Sequence, residues 1–440
     1  MPDPFTVTLH IGGMLHIIGR YKPEETNKME TTTNEFKISF VLALISMIIV
    51  FSCGQPNQSE QHLAETPNLK PWQYAQDSNY VLEHPDRFAW ELFRALNWPA
   101  DTTTLKANPK KHFGAPGWVV WQTWKTAPEI FLPDGSKPKG WLQKDFGLRT
   151  SEHFSPFSIK EQMPDISSDP TYGLEEVIMN KEAFDYVVSN KLYNLNGQYA
   201  KYHNNQKINF PLSAIEIKVK WRSIPDTNYD KARYHWQYVQ VKDSGQTKKL
   251  LYGLVSMHIT SRVLKKWLWA TFEHVDSRSQ KHPGDDGWLL PTKDSFACAD
   301  PPYDCERAPT NFGLEGNKWQ YYLLRGTQTD YLDEGGEALL LANSNVERGF
   351  QLSSSCITCH SLASIGPLYK DKNTIKMRRV NFLPQPPYKV DGVRFGGKGY
   401  VGEPDTTLFR LKDGRMRQSD FAWSLSRAVW HGPDTLHLDD

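Results

Sequence analysis

Cys356-Ile357-Thr358-Cys359-His360 is where the reactive side chains of this chain crowd most closely. Two thiols separated by two residues reach outward from a single turn of backbone, and an imidazole follows at once. That spacing lets each sulfur add across a vinyl group of a porphyrin while the histidine takes the iron, so the pattern points to covalent haem. Other chemistry uses the same letters. A zinc knuckle needs a second close pair of ligands, and none in the sequence matches. A thioredoxin-like redox pair more often follows a strand in a βαβ setting, whereas the residues before Cys356 read as a short helix. One haem c is therefore the expected cofactor, with Cys356 and Cys359 as anchors and His360 as the proximal ligand.

The flanks supply elements that would position it. Ser344-Asn-Val-Glu347 has the form of a capping box, and Arg348 to Leu352 continue a helix into Cys356. A loop with Gly366-Pro367 follows, able to brace the His360 ring. Near the C-terminus, Ser419 is an N-cap for a helix over Asp420 to Trp430, with Phe421, Leu425 and Ala428/Val429 on one face. This order resembles the class I cytochrome c family over roughly Asp333 to Asp440. The resemblance implies an all-α haem domain whose terminal helices cross where Gly349 and Phe350 meet Phe421 or Trp423. It also implies an axial methionine. Met416, 56 residues after His360, has the family's spacing, while Met377, only 17 residues on, is tight for a chain that must wrap the haem edge. His431, His437 and an open sixth position are the remaining options. A thioether ligand favours ferrous iron and suits an electron carrier; an open position suits small-molecule binding or peroxide chemistry.

Haem attachment of this kind takes place outside the cytoplasm, and the sequence offers a route there. Ile38 to Phe51 is an apolar stretch behind Lys37, the length of a signal-peptide core and short for a membrane span. It runs into Val50-Phe-Ser52-Cys53-Gly54, which resembles a bacterial lipobox and implies cleavage before Cys53 and lipid on its sulfur. A plain signal peptide and an uncleaved anchor are the alternatives. The weakly basic segment ahead of it leaves Met14 or Met29 as candidate starts. Two cysteines then remain, Cys298 and Cys305. In an oxidising compartment they would close a short loop worth about 2–3 kcal/mol, with free thiols or a metal pair as the other readings.

Composition bounds the rest. Fifty-one basic and 50 acidic side chains nearly cancel and no basic stripe occurs, which disfavours nucleic acid as a partner. The chain divides into a signal segment over 1–52, a lipid-anchored tether over 53–70, an aromatic-rich domain over 71–330 and a cytochrome c-like domain over 331–440. All but two of the 15 tryptophans fall before residue 320. Core packing is the default use for so many indoles, with ligand stacking second. Asp86 to Asn97 reads as a helix with Phe88, Leu92 and Leu96 on one stripe, and Leu174 to Asn190 has helical spacing at Val177, Ala183 and Val187. Ile215, Ile217, Val219 and Trp221 then alternate with Glu216, Lys218 and Lys220, the mark of a half-buried strand. Tyr234, Trp236 and Tyr238 alternate again, and Leu250 to Thr260 and Trp267 to Val275 are two more β-type runs. The expected fold is thus mixed: an all-α cytochrome c-like C-terminal domain after a larger, mainly antiparallel β (α+β) domain, part of a sandwich.

His258, Glu273 and His274 lie in these β runs, but adjacent Glu273 and His274 point to opposite faces of a strand, so structural roles come first for them. Gly396-Gly-Lys-Gly399 lacks the spacing of a phosphate loop and reads as a turn. Trp267-Leu-Trp-Ala-Thr-Phe-Glu-His274 is similar to a Trp-rich stretch of bacterial cytochrome c family proteins. Together these readings imply a periplasm-facing envelope lipoprotein that exchanges single electrons with redox protein partners. An oxidoreductase whose N-terminal domain binds and oxidises a small molecule is the alternative, and a haem-based sensor the third.

Overall fold

Four runs with a two-residue apolar repeat build the centre of the molecule. The computed structural model describes residues 68–150, 153–154, 173–243, 246–279, 286–303, 305–369, 374–379, 388–390, 393–395, 401–404, 417–432 and 436–437. The export segment, the lipobox with Cys53, Met416 and the Gly396–Gly399 turn lie outside the described residues. No helix among the described residues is long and apolar enough to cross a membrane.

An eight-stranded, curled sheet is formed by β1 (Lys125–Thr126), β2 (Arg149–Thr150), β3 (Leu174–Met179), β4 (Ile215–Ser223), β5 (Trp236–Asp243), β6 (Gln246–Ser261), β7 (Leu268–His274) and β8 (Tyr322–Gln328). The order is β8-β7-β6-β4-β3-β1, and β5 pairs with β6 and β2. All pairings are antiparallel except β2 with β5. The 16-residue β6 is the backbone of the arrangement: its first half pairs with β5, its second half with β4 and β7.

One face of the sheet is apolar. Ile215, Ile217 and Val219 of β4, Met257 and Ile259 of β6 and Phe272 of β7 meet helix α1 (Pro85–Leu96). Pro85 occupies the first turn of α1, where a missing N–H costs nothing, and Phe88, Leu92 and Leu96 recur at helical spacing. Phe272 stacks on Phe93 with centroids 4.3 Å apart and meets Trp90 edge-on at 4.9 Å. Most of the indoles of the first 320 residues therefore serve packing, as Trp90, Trp121, Trp221 and Trp319 do here.

Three expectations are corrected. The C-terminal region is strand-rich and not an all-α cytochrome domain. Strands β9 (Ser364–Tyr369), β10 (Thr374–Arg379), β11 (Arg417–Gln418) and β12 (Leu436–His437) form a sheet ordered β11-β9-β10-β12. Residues expected in the terminal helix make only a 3-10 turn over Trp423–Arg427. The cause is local and tertiary together. Asp420 and Phe421 both adopt left-handed φ values, 50° and 66°, and the Asp420 carboxylate accepts from Arg262 Nε and the Phe210 N–H. The helix expected ahead of Cys356 does not form: residues 344–350 are turns, with Gly349 at φ 84°, and only a 3-10 turn over Gln351–Ser353 follows.

A curled sheet with helix α1 on its apolar face also replaces the expected sandwich. Finally, Leu174 to Asn190 is part strand, part helix. Val177 belongs to β3, and only Ala183 and Val187 share helix α2 (Lys181–Ser189), which Asn180 caps through the Ala183 N–H.

Candidate cofactor site

The second face of the sheet carries the polar half of each alternation. Reading across from β3, the pairs are Glu175 with Lys220, Lys220 with Ser256, and Ser256 with Glu273. One step along come Val177, Lys218, His258 and Thr271, then Glu216, Thr260 and Trp269. A half-buried sheet would leave these in water. Here residues 341–365 and 419–430 cover them.

The cover is positioned by hydrogen bonds as much as by apolar contact. Asn343 Nδ2 donates to Thr271 Oγ1 (3.0 Å), Asn345 Nδ2 donates to Glu273 Oε1 (2.7 Å), and the Ser344 hydroxyl donates to the same carboxylate. Ser344 is thus spent on Glu273, and the expected capping box moves by one residue: Glu347 Oε2 accepts from the Asn343 N–H at 2.7 Å. Arg262 ties Asp420 at 3.1 Å and Asn209 at 2.9 Å.

Between sheet and cover lies a cavity of about 210 Å³, partly open to solvent. Cys356, Cys359 and His360 sit together on its covering wall, in the single helical segment α4 (Cys356–Ser361, with α3 at Leu195–His203 preceding it in the chain). The opposite wall presents Glu216, Lys218, His258, Thr260 and Trp269 from the sheet. Glu347, Trp423 and Arg427 close the sides.

His360 is held from behind. Its Nδ1 lies 2.9 Å from the carbonyl oxygen of Phe421, which can only accept, so Nδ1 carries the proton and Nε2 the lone pair. The expected brace, Gly366-Pro367, is instead in β9. Trp269 packs its ring 4.5 Å from the His360 ring, and Trp423 Nε1 donates to the Cys359 carbonyl at 3.2 Å. Burial keeps the imidazole neutral, lowering its pKa to about 4, and pushes the Cys359 thiol up to about 12 and the Cys356 thiol well up from its ordinary value.

Buried ionisable groups lie in the cavity wall and in the polar sheet face beside it. Glu347 and Glu273 are each raised to about 7, chiefly by burial, although Lys218 and Arg325 respectively oppose the shift. Lys220 is lowered to about 7, again by burial first. Lys218 Nζ reaches Glu175 Oε2 at 3.3 Å. His258, 8 % exposed, is lowered to about 3 by burial and then by Lys218 and His360. Its Nε2 has no hydrogen-bond partner; Glu347 Oε2 is 3.7 Å away.

The other sequence candidates fall elsewhere. Met377 lies in β10 opposite Pro367, and His437 in β12 opposite Thr374. His431 is exposed and bonds Asp134 and Asn196 rather than lining the cavity. Glu273 faces the cover, while His274 stacks on Tyr234 with centroids 3.8 Å apart. Cys298 and Cys305 form a disulfide with Cα atoms 5.6 Å apart, remote in sequence from the motif. Among the described residues no group of three or more His, Cys, Asp or Glu side chains is disposed to hold a bare metal ion. Glu347, Trp269, Trp423 and Arg427 were not singled out as cavity residues by sequence. For Trp269 the signal existed, since it shares a strand face with Thr271 and Glu273.

No protein-family model, curated protein or solved structure matches this chain.

The residues present suit a covalently held haem. Two thiols and an adjacent imidazole open on one chamber, the imidazole is oriented by the carbonyl bond that metal-bound histidines commonly make, and indoles offer apolar walls. The cavity is smaller than the 300–1,000 Å³ usual for drug-sized ligands, so a macrocycle would need it to widen or would leave one edge in solvent.

Proposed function

We propose that this protein carries one haem c on a scaffold distinct from the class I cytochromes and passes single electrons between redox partners in the bacterial envelope. One observation carries the reading: Cys356, Cys359 and a neutral, carbonyl-braced His360 converge on the same cavity. Haem supplies the one-electron couple of its iron. The protein's part is to anchor the ring through two thioethers, offer His360 Nε2 to the iron, and surround it with Trp269, Trp423 and a cluster of fixed charges. Because the cavity is open on one side, a porphyrin edge left near solvent would give a partner short-range access. Cys53 in its lipobox-like setting would tether the molecule to the membrane, facing the periplasm.

The test is covalent retention. Expressed in a host equipped for cytochrome c maturation, the protein should keep the mass of one haem after denaturation, and a Cys356→Ser/Cys359→Ser variant should lose it. Wild-type protein with no retained haem refutes the proposal.

A second reading has an observation of its own. Lys218, Glu216 and Arg427 place both signs of charge in the chamber, enough to orient a small polar substrate. On that reading the protein is an oxidoreductase that passes substrate electrons to the haem. Substrate-dependent haem reduction across a broad panel distinguishes it from a pure carrier.

A further inference from the structure

We propose that His258 is the second axial ligand of this haem, opposite His360. The inference rests on the haem reading above and concerns what the sheet side of the cavity is for. Apart from the two anchoring cysteines, the described residues lining the cavity offer two soft neutral donors, His258 and His360, and no methionine. The pair come from opposite walls, one from the central strand β6 and one from α4.

His258 has no other evident employment for its Nε2. The nitrogen is buried and unpartnered, and Glu347 at 3.7 Å is beyond hydrogen-bonding distance. A buried polar atom left unpaired costs about 1–3 kcal/mol, so native proteins rarely tolerate one without a purpose. A ligand bond would satisfy it. The strand is also well placed to present a ligand rigidly: β6 is paired through Lys218 on one side of His258 and through Thr271 on the other, which fixes the backbone from both edges. Sequence spacing favoured Met416 for this position, but that preference came with the all-α cytochrome fold, which the chain does not adopt.

The experiment uses the haem-loaded protein and reads spin state, with haem mass after denaturation measured alongside. Two imidazoles should give low-spin ferric iron lacking the weak red-end band of methionine ligation. His258→Ala should become high-spin, bind carbon monoxide readily when reduced, and return to low spin on adding imidazole. His258→Met should acquire the red-end band, and Met416→Ala should leave the spectrum unchanged. High-spin iron in the wild-type protein, a methionine band in the wild-type protein, or a His258→Ala variant that stays low-spin overturns the assignment while leaving covalent haem intact. Absence of retained haem removes the parent reading instead. Should His258→Ala not fold, the wild-type spectrum and Met416→Ala still decide.

Discussion

Replacing Lys220 by methionine should stabilise the protein, and the gain should fade as pH rises. Lys220 is 2 % exposed, on the covered side of β4 between Glu175 and Ser256. Burial is the largest cause of a folded pKa near 7 against 10.5 for the free side chain; Glu175 pulls the other way, and Lys218 and Arg222 add to the lowering. Between those values the unfolded chain holds a proton that the native protein lacks. Native stability therefore climbs by about 1.4 kcal/mol per pH unit over that interval. The accumulated penalty is about 5 kcal/mol, present in full at and below pH 7 and gone near pH 10.5. Methionine keeps the length and the apolar stem and has no charge to desolvate. Urea unfolding followed by circular dichroism at pH 7, 8, 9 and 10 should give the variant a lead of a few kcal/mol at pH 7, less what Glu175 loses. That lead should shrink steadily to near zero. Groups common to both proteins cancel in the difference. If the two stability curves run parallel from pH 7 to 10, Lys220 is charged and hydrated in the native state, and the picture of a dry, covered polar sheet face is wrong.

Three further outcomes follow from packing. Phe272→Ala removes a ring with no exposed surface from between Trp90 and Phe93 and should cost about 3–5 kcal/mol in urea unfolding; a loss below about 1 kcal/mol would mean the core collapses around it. Gly197→Ala, in helix α3, should lower the melting temperature although alanine favours helix by about 1 kcal/mol, because a Cβ there would lie 1.9 Å from the Lys191 carbonyl oxygen. A raised melting temperature would show that the contact relaxes freely. Arg262→Ala takes one of its partners from the largely covered Asp420 carboxylate, which keeps the Phe210 N–H, and should cost about 1–3 kcal/mol, with faster proteolysis within 417–432; unchanged proteolysis would refute its role in holding the cover.

Much of the sheet was legible from local pattern. The alternation through Ile215 to Trp221 marked β4, and the runs at Leu250 and Trp267 marked β6 and β7, because a two-residue repeat is a property of the strand itself. The fate of the polar half was not legible. Glu216, Lys218 and Lys220 look solvated in sequence, yet with the chain after residue 340 packed over them the first two are half-buried and Lys220 is buried. The same non-local demand defeated two helices. Ser419 and Asp420 have the types of a helix start, yet Asp420 is claimed by Arg262, and Ser344, apparently a cap, is claimed by Glu273. The Cys356–His360 spacing was readable without the fold, since it lies within five consecutive residues. The partner for His360 Nδ1 was not, since a backbone carbonyl such as that of Phe421 has no signature in sequence.

The closeness of two indoles to the cysteine–histidine motif has a practical consequence. Trp269 lies against His360 and Trp423 reaches the Cys359 carbonyl, so both border whatever the chamber holds. An excited indole that near an absorbing ring surrenders its energy instead of emitting it. The molecule thus contains its own dimmer: a coloured guest extinguishes these two residues, a colourless one merely shifts their emission, and occupancy can be followed continuously without a label.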